Sequence, residues 1–172
     1  AAAGAWVSHQ PRSNMNNAVG TMRLRQMMDK GVRIGLGTDG MTSDMRQEAA
    51  VVPLLQRTSS REPSAGFVEA GELLFGNNTR FASELFGLPL GELSAGAAAD
   101  IAVFNYHSPT PLSADNLLGH FLFGIRYAPV KHVLVNGRLL LENGRPTTVD
   151  EYEVAEKSRE LAQKLWKRIE RA

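Results

Sequence analysis

Apolar and polar positions change period several times along the chain, and each change marks an element. AWVSHQ (5–10) reads as a strand. From Ala18 to Lys30, Val19, Met22, Met27 and Met28 recur at helical spacing, with Gly31 placed to close the helix. VRIGL (32–36) is an apolar run of strand length, and DMRQEAAVVPLLQR (44–57) returns to the helical period with Pro53 as a kink or a fresh start. Strand, helix, strand, helix predicts a parallel βαβ unit with a right-handed crossover. That arrangement puts the loops PRSNMNN (11–17) and GTDGMTS (37–43) at one carboxyl edge of the sheet, where α/β folds carry their sites.

Beyond residue 60 the pattern shortens. FVEAGELLF (67–75) and NTRFASELFG (78–87) predict two helices closed by Gly76 and Gly87. LGELSAGAAADIAVFNY (90–106) runs through a glycine turn into an alternating strand. SPTPLSADN (108–116) is a proline-punctuated loop leading into a short helix through LLGHFLFG. VKHVLVNGRLLLENGRP (130–146) predicts a hairpin about Asn136-Gly137, because both central residues of such a turn need positive φ. The last helix, about Asp150 to Arg171, has Asp150 as N-cap, Glu153 in the capping-box position and Val154, Ser158, Leu161, Leu165 and Ile169 along one face. Trp166, with Leu165 and Ile169, is expected to pack against its own chain.

Composition excludes more than it identifies. With 172 residues, 43% hydrophobic, 22% charged and a net charge of +1, the chain suits one globular domain or parts of two, and neither nucleic acid nor membrane is implied as a partner. The absence of cysteine excludes disulfides and thiolate metal sites. No leader-like segment is evident, so a cytoplasmic setting is the default, and a strand within the first residues suggests that the chain begins inside a fold.

The stretch GLGTDG (35–40) carries the chemistry. Gly35, Gly37 and Gly40 spell the G-x-G-x-x-G dinucleotide fingerprint, yet Asp39 between the last two would repel a pyrophosphate, and Glu62 lies in a loop where the ribose-binding acid should end a strand. A carboxylate at the carboxyl tip of a buried strand is costly unless paired or metal-bound; the alternative is that Asp39 caps its own turn. Ser13 and Asn14 in PRSN are of the residue types that would cap the helix starting near Ala18. His9 on the same strand reads as a satisfied core or supporting group and not as a metal ligand. His107, His120 and His132 lack the spacing that gathers imidazoles on one metal.

Three stretches, VSHQPRSNMNNAVG, GVRIGLGTDGMTSDM and LGELSAGAAADIAVFNY with VKHVLVNGRLLLENGR, resemble the C-terminal part of amidohydrolase-superfamily enzymes. Their wording is most similar to the SsnA-type aminohydrolases, relatives of chlorohydrolase, guanine deaminase and cytosine deaminase. The resemblance implies an α/β fold: the last two strands of a (β/α)8 barrel over 1–88, part of a small β-sandwich over 89–146, and a C-terminal helix over 147–172. It implies that Asp39 binds a divalent metal, zinc or iron, and takes a proton from the water that attacks a small-molecule substrate. Ser13 and Asn14, with His9 behind them, would support the carboxylate or touch substrate. Hydrolytic deamination is the expected reaction. Dechlorination, amide or ring hydrolysis, and a non-catalytic binding module are the alternatives, and a homo-oligomer is compatible with all of them. In that superfamily the metal histidines come from strands one, five and six and a catalytic glutamate lies near strand five. None of those segments is present, so the remainder of the barrel is needed and residues 1–172 alone are expected to be inactive.

Overall fold

The computed structural model describes residues 1–171. The chain forms two compact units, one comprising 1–98 and 106–128, the other 99–105 and 129 onward. The run from 106 to 128 thus belongs with the first unit and not with the unit that contains the strands on either side of it in sequence.

In the first unit, β1 (Trp6–His9) and β2 (Arg33–Leu36) pair in parallel with His9 opposite Leu36. They are joined through α1 (Pro11–Asn16) and α2 (Leu24–Asp29). The loop expected over 11–17 is therefore largely helical, begun by Pro11, whose fixed φ and missing N–H suit a first helical position. The helix expected over 18–30 shrinks to its second half. Ala18 and Gly20 take positive φ (53° and 95°), which turns the chain before Leu24 and leaves Val19 exposed.

After β2 comes α3 (Met45–Ser60), capped by Asp44, whose carboxylate accepts from Arg46 N–H at 3.0 Å. The helix does not restart at Pro53. It runs through, with Ala49, Ala50, Val52 and Pro53 buried in the core beside Ile34, Leu73 and Leu122. Next, α4 (Phe67–Gly71), a π-helical stretch (Glu72–Asn77) and α5 (Asn78–Phe86) succeed one another without a break at Gly76; only Gly87, at φ 65°, ends the run. This stretch closes the free edge of β2. Because Gly37 N–H donates to His9 C=O, alternation along the ladder turns the Ile34 and Leu36 polar groups away from β1. Asn77 Nδ2 donates to Ile34 C=O, and Asn78 both accepts from Leu36 N–H and donates to Leu36 C=O, at 2.7–2.8 Å. Three polar groups of that strand edge are thereby satisfied by side chains. The unit is completed by α6 (Leu117–Phe123), which the sequence located, and a 3-10 turn (Ile125–Tyr127).

The second unit is a four-stranded antiparallel sheet, β3 (Ile101–Phe104), β4 (Val130–Val135), β5 (Arg138–Glu142) and β6 (Arg145–Pro146), in sequence order. Asn136-Gly137 makes the expected turn with φ 48° and 75°. A second Asn-Gly, 143–144, makes another with φ 49° and 77° and adds β6, a strand too short to show in the periodicity. Finally α7 (Glu151–Ile169) starts where Asp150 accepts from the N–H groups of Tyr152 and Glu153. Its apolar face does not pack on the chain as expected. Leu161, Leu165, Trp166 and Ile169 are each roughly half exposed.

Candidate active site

The carboxyl ends of β1 and β2 lie side by side, so the segments leaving the two strands meet. Asp39, three residues past β2, is solvent-exposed and takes φ 51°, a left-handed conformation that aspartate tolerates better than most residues. The sharp exit from β2 therefore rests on Asp39 itself and not on its flanking glycines. Gly37 serves differently, since a Cβ there would lie 2.8 Å from Ser8 Oγ on the neighbouring strand.

Ser13, buried on α1, donates its hydroxyl to Asp39 Oδ2 at 2.7 Å, and Gly40 N–H donates to Oδ1 at 2.7 Å. The Ser13 bond first, then the Gly40 bond, holds the Asp39 carboxyl below its usual pKa against a small opposing effect of desolvation. The result is an ionised, oriented carboxylate open to solvent.

The other residues singled out by sequence take different places. Asn14 is half-buried on α1; its C=O accepts from Val19 N–H at 3.1 Å, and its side chain makes no hydrogen bond to Ser13 or Asp39. Neither Ser13 nor Asn14 caps the helix beyond Ala18, because both lie inside α1 and Arg23 precedes α2. His9 is fully buried, with both ring nitrogens lacking a hydrogen-bond partner, and burial pushes its pKa down to about 4. It is a neutral core imidazole outside the Ser13–Asp39 pair.

Two charged pairs that sequence reasoning missed brace this edge. Glu48, on α3 and fully buried, accepts from Arg12 N–H at 2.8 Å through Oε1 and from the Arg12 guanidinium through Oε2. The same guanidinium donates to Thr42 Oγ1 at 2.9 Å in the loop that carries Asp39. Asp44 is gripped by Arg46 through two side-chain bonds of 2.9 and 3.0 Å, while Arg46 also donates to the carbonyls of Ile125 and Ala128. Burial works to raise the Asp44 pKa, but the Arg46 bonds and charge overcome it and keep the group ionised. The N-terminus of α3 is thus occupied by the Asp44 carboxylate.

Among the described residues, no three His, Asp or Glu side chains come together to hold a metal ion. His120 is occupied by hydroxyls, Tyr106 at 2.7 Å on Nδ1 and Thr110 at 2.9 Å on Nε2, and His132 lies on β4 in the other unit. Asp39 fits one anionic ligand of a metal centre, and the set here extends no further. No described helix is long and apolar enough to cross a membrane.

A serine-braced carboxylate just past the carboxyl ends of two parallel strands is an α/β arrangement, and comparison with known proteins gives its family. The Amidohydrolase family model matches residues 1–140, and the chain belongs to that family. It is 34% identical over 94% of its length to a 5'-deoxyadenosine deaminase of Methanopyrus kandleri, of which it covers 38%. It is 31% identical over 98% of its length to a 5-methylthioadenosine/S-adenosylhomocysteine deaminase of Haloarcula marismortui, of which it covers 39%. Among solved structures, a zinc-bound adenosine deaminase from Xanthomonas campestris superposes with a TM-score of 0.78 at 19% identity, over 95% of this chain and 38% of that one. The zinc complex of atrazine chlorohydrolase TrzN from Arthrobacter aurescens gives 0.73 at 24%, over 93% and 36%. The chain thus spans less than two-fifths of the length of these relatives.

Proposed function

We propose that this chain supplies the last two strands of a (β/α)8 barrel in a metal-dependent aminohydrolase, with Asp39 as the metal-site and proton-accepting carboxylate. The observation that carries the reading is the Ser13 hydroxyl donated to Asp39 Oδ2 at the carboxyl edge of two parallel strands. A carboxylate held there, ionised and exposed, suits both duties assigned to it. A divalent metal, when bound, supplies a water of lowered pKa. Asp39 accepts a proton at its carboxylate, Ser13 keeps that carboxylate aimed, and the remaining ligands come from outside the described residues. On this reading residues 1–172 alone do not turn over substrate.

Deamination is favoured over dechlorination because the relatives above 30% identity are named deaminases, whereas the chlorohydrolase likeness, at 24%, speaks for the fold alone. The substrate class we propose is an amino-substituted nitrogen heterocycle of the adenine type, matching the names of those relatives.

The test is an Asp39→Asn substitution in a protein of the full length of its relatives. Ammonia release from 5'-deoxyadenosine and S-adenosylhomocysteine, chloride release from atrazine, and zinc per chain are measured. The expected result is ammonia release with about one divalent metal per chain, falling by roughly a hundred- to ten-thousandfold in Asp39→Asn, the span of a lost acid–base group. Unchanged metal and rate in the variant would make Asp39 a turn residue and end the proposal.

A further inference from the structure

Glu48 is a carboxylate with no exposed surface, and none of the chemistry proposed above uses it. Burying such a charge is unfavourable unless its partners are well placed, and here both come from one residue, Arg12. One bond fixes the main chain of α1 and the other fixes the side chain. From there the Arg12 guanidinium reaches Thr42, on the loop after β2. Arg12 is the residue before Ser13, and Thr42 lies three residues after Asp39. The ion pair therefore touches both segments that carry the Ser13–Asp39 bond, whose partners are 26 positions apart in sequence: α1 at the residue before Ser13, and the loop after β2 three residues beyond Asp39.

Charge balance alone would not require this geometry. The side-chain ion pair would suffice for charge, whereas the acceptor of the Arg12 N–H also determines where the first turn of α1 sits. Rotation of that turn carries Ser13 with it, because Ser13 is the next residue and is itself buried. A bond of 2.7 Å tolerates little displacement before it is lost.

We propose that Glu48 is a positioning residue: through Arg12 it sets the distance between the Ser13 hydroxyl and Asp39, and so tunes the affinity of the Asp39 site for its metal. The part concerning metal rests on the function proposed above; the part concerning distance does not.

The experiment compares wild type, Glu48→Ala, Glu48→Gln, Ser13→Ala and Ser13→Ala/Glu48→Ala in the full-length protein. It uses zinc competition with a chelator, kcat and KM, and crystal structures of the single variants. Loss of an orienting partner behind a ligand weakens metal binding or activity by about 10- to 100-fold. Glu48→Ala should therefore weaken zinc binding and lower kcat by that factor with KM little changed. The double variant should be no worse than Ser13→Ala, because Glu48 acts through Ser13. Glu48→Gln, which retains an acceptor for the Arg12 N–H, should recover much of the loss and guards against a Glu48→Ala protein that fails to fold. Fully additive losses, or a lower Tm with unchanged zinc affinity and kcat, would overturn the proposal. The crystal structures separate it from the hydrolase reading. Should the wild type prove inactive and metal-free, Ser13 Oγ leaving hydrogen-bond range of Asp39 Oδ2 in Glu48→Ala would still support the positioning role, and an unmoved pair would refute it.

Discussion

At the residue scale, two titratable groups near the ends of neighbouring strands are shifted for different reasons. Asp39 is exposed and lowered by hydrogen bonds to its charged form; His9 is buried and lowered because burial desolvates its charged form. The histidine makes a pH prediction. Its folded pKa of about 4 lies below the ordinary 6.5, so between those values the unfolded chain binds a proton that the folded chain excludes. The stability contribution is complete above pH 6.5 and is lost as pH falls toward 4, by up to about 1.4 kcal/mol per pH unit. Urea unfolding at pH 7 and pH 5 should show wild type losing about 1–2 kcal/mol more than His9→Leu. Equal losses would mean that His9 is not held neutral in the core. Of the candidate site, the meeting of the Ser13 and Asp39 segments was legible because strand-end loops of a βαβ unit must share an edge. The Glu48–Arg12 pair was not, since nothing local in either segment announces a partner 36 positions away.

At the element scale, sequence periodicity located both parallel strands, α3, the first hairpin and α7, and it failed where backbone conformation overrode side-chain pattern. Val19 and Met22 have the spacing of a helix, yet positive φ at Ala18 and Gly20 makes their segment a turn. Gly76 looks like a stop, but it sits inside a π-helical stretch that continues into α5. Pro53 costs α3 one backbone hydrogen bond, and the helix survives because its buried face packs against the turn at Gly66. That contact is testable. Gly66 has φ 82°, and a Cβ there would lie 2.7 Å from Pro53 Cα and 3.0 Å from Val52 O, backbone atoms that cannot swing aside. Left-handed strain and overpacking should together cost Gly66→Ala about 2–4 kcal/mol of unfolding free energy. Gly31→Ala, also at positive φ but with open space around it, should cost only about 1–2 kcal/mol. A Gly66→Ala protein no less stable than Gly31→Ala would show that α3 and the Gly66 turn are not in contact.

At the scale of the whole molecule, the two units differ in how they use their apolar residues. The first encloses a core of Leu24, Ile34, Val52, Leu73 and Leu122, whereas α7 in the second buries none of its residues. An amphipathic helix with an unburied stripe contributes little to the stability of its own chain, because apolar burial and not propensity supplies most helical stability. The Asp150 cap and the acidic first turn with basic last turn support the helix locally. Replacing Leu161 and Leu165 together by lysine should therefore leave the unfolding free energy within about 0.5 kcal/mol of wild type, the range of ordinary surface substitutions. A loss of about 2 kcal/mol or more, the cost of removing buried leucines, would mean that the stripe is covered in solution and that α7 belongs to a core after all.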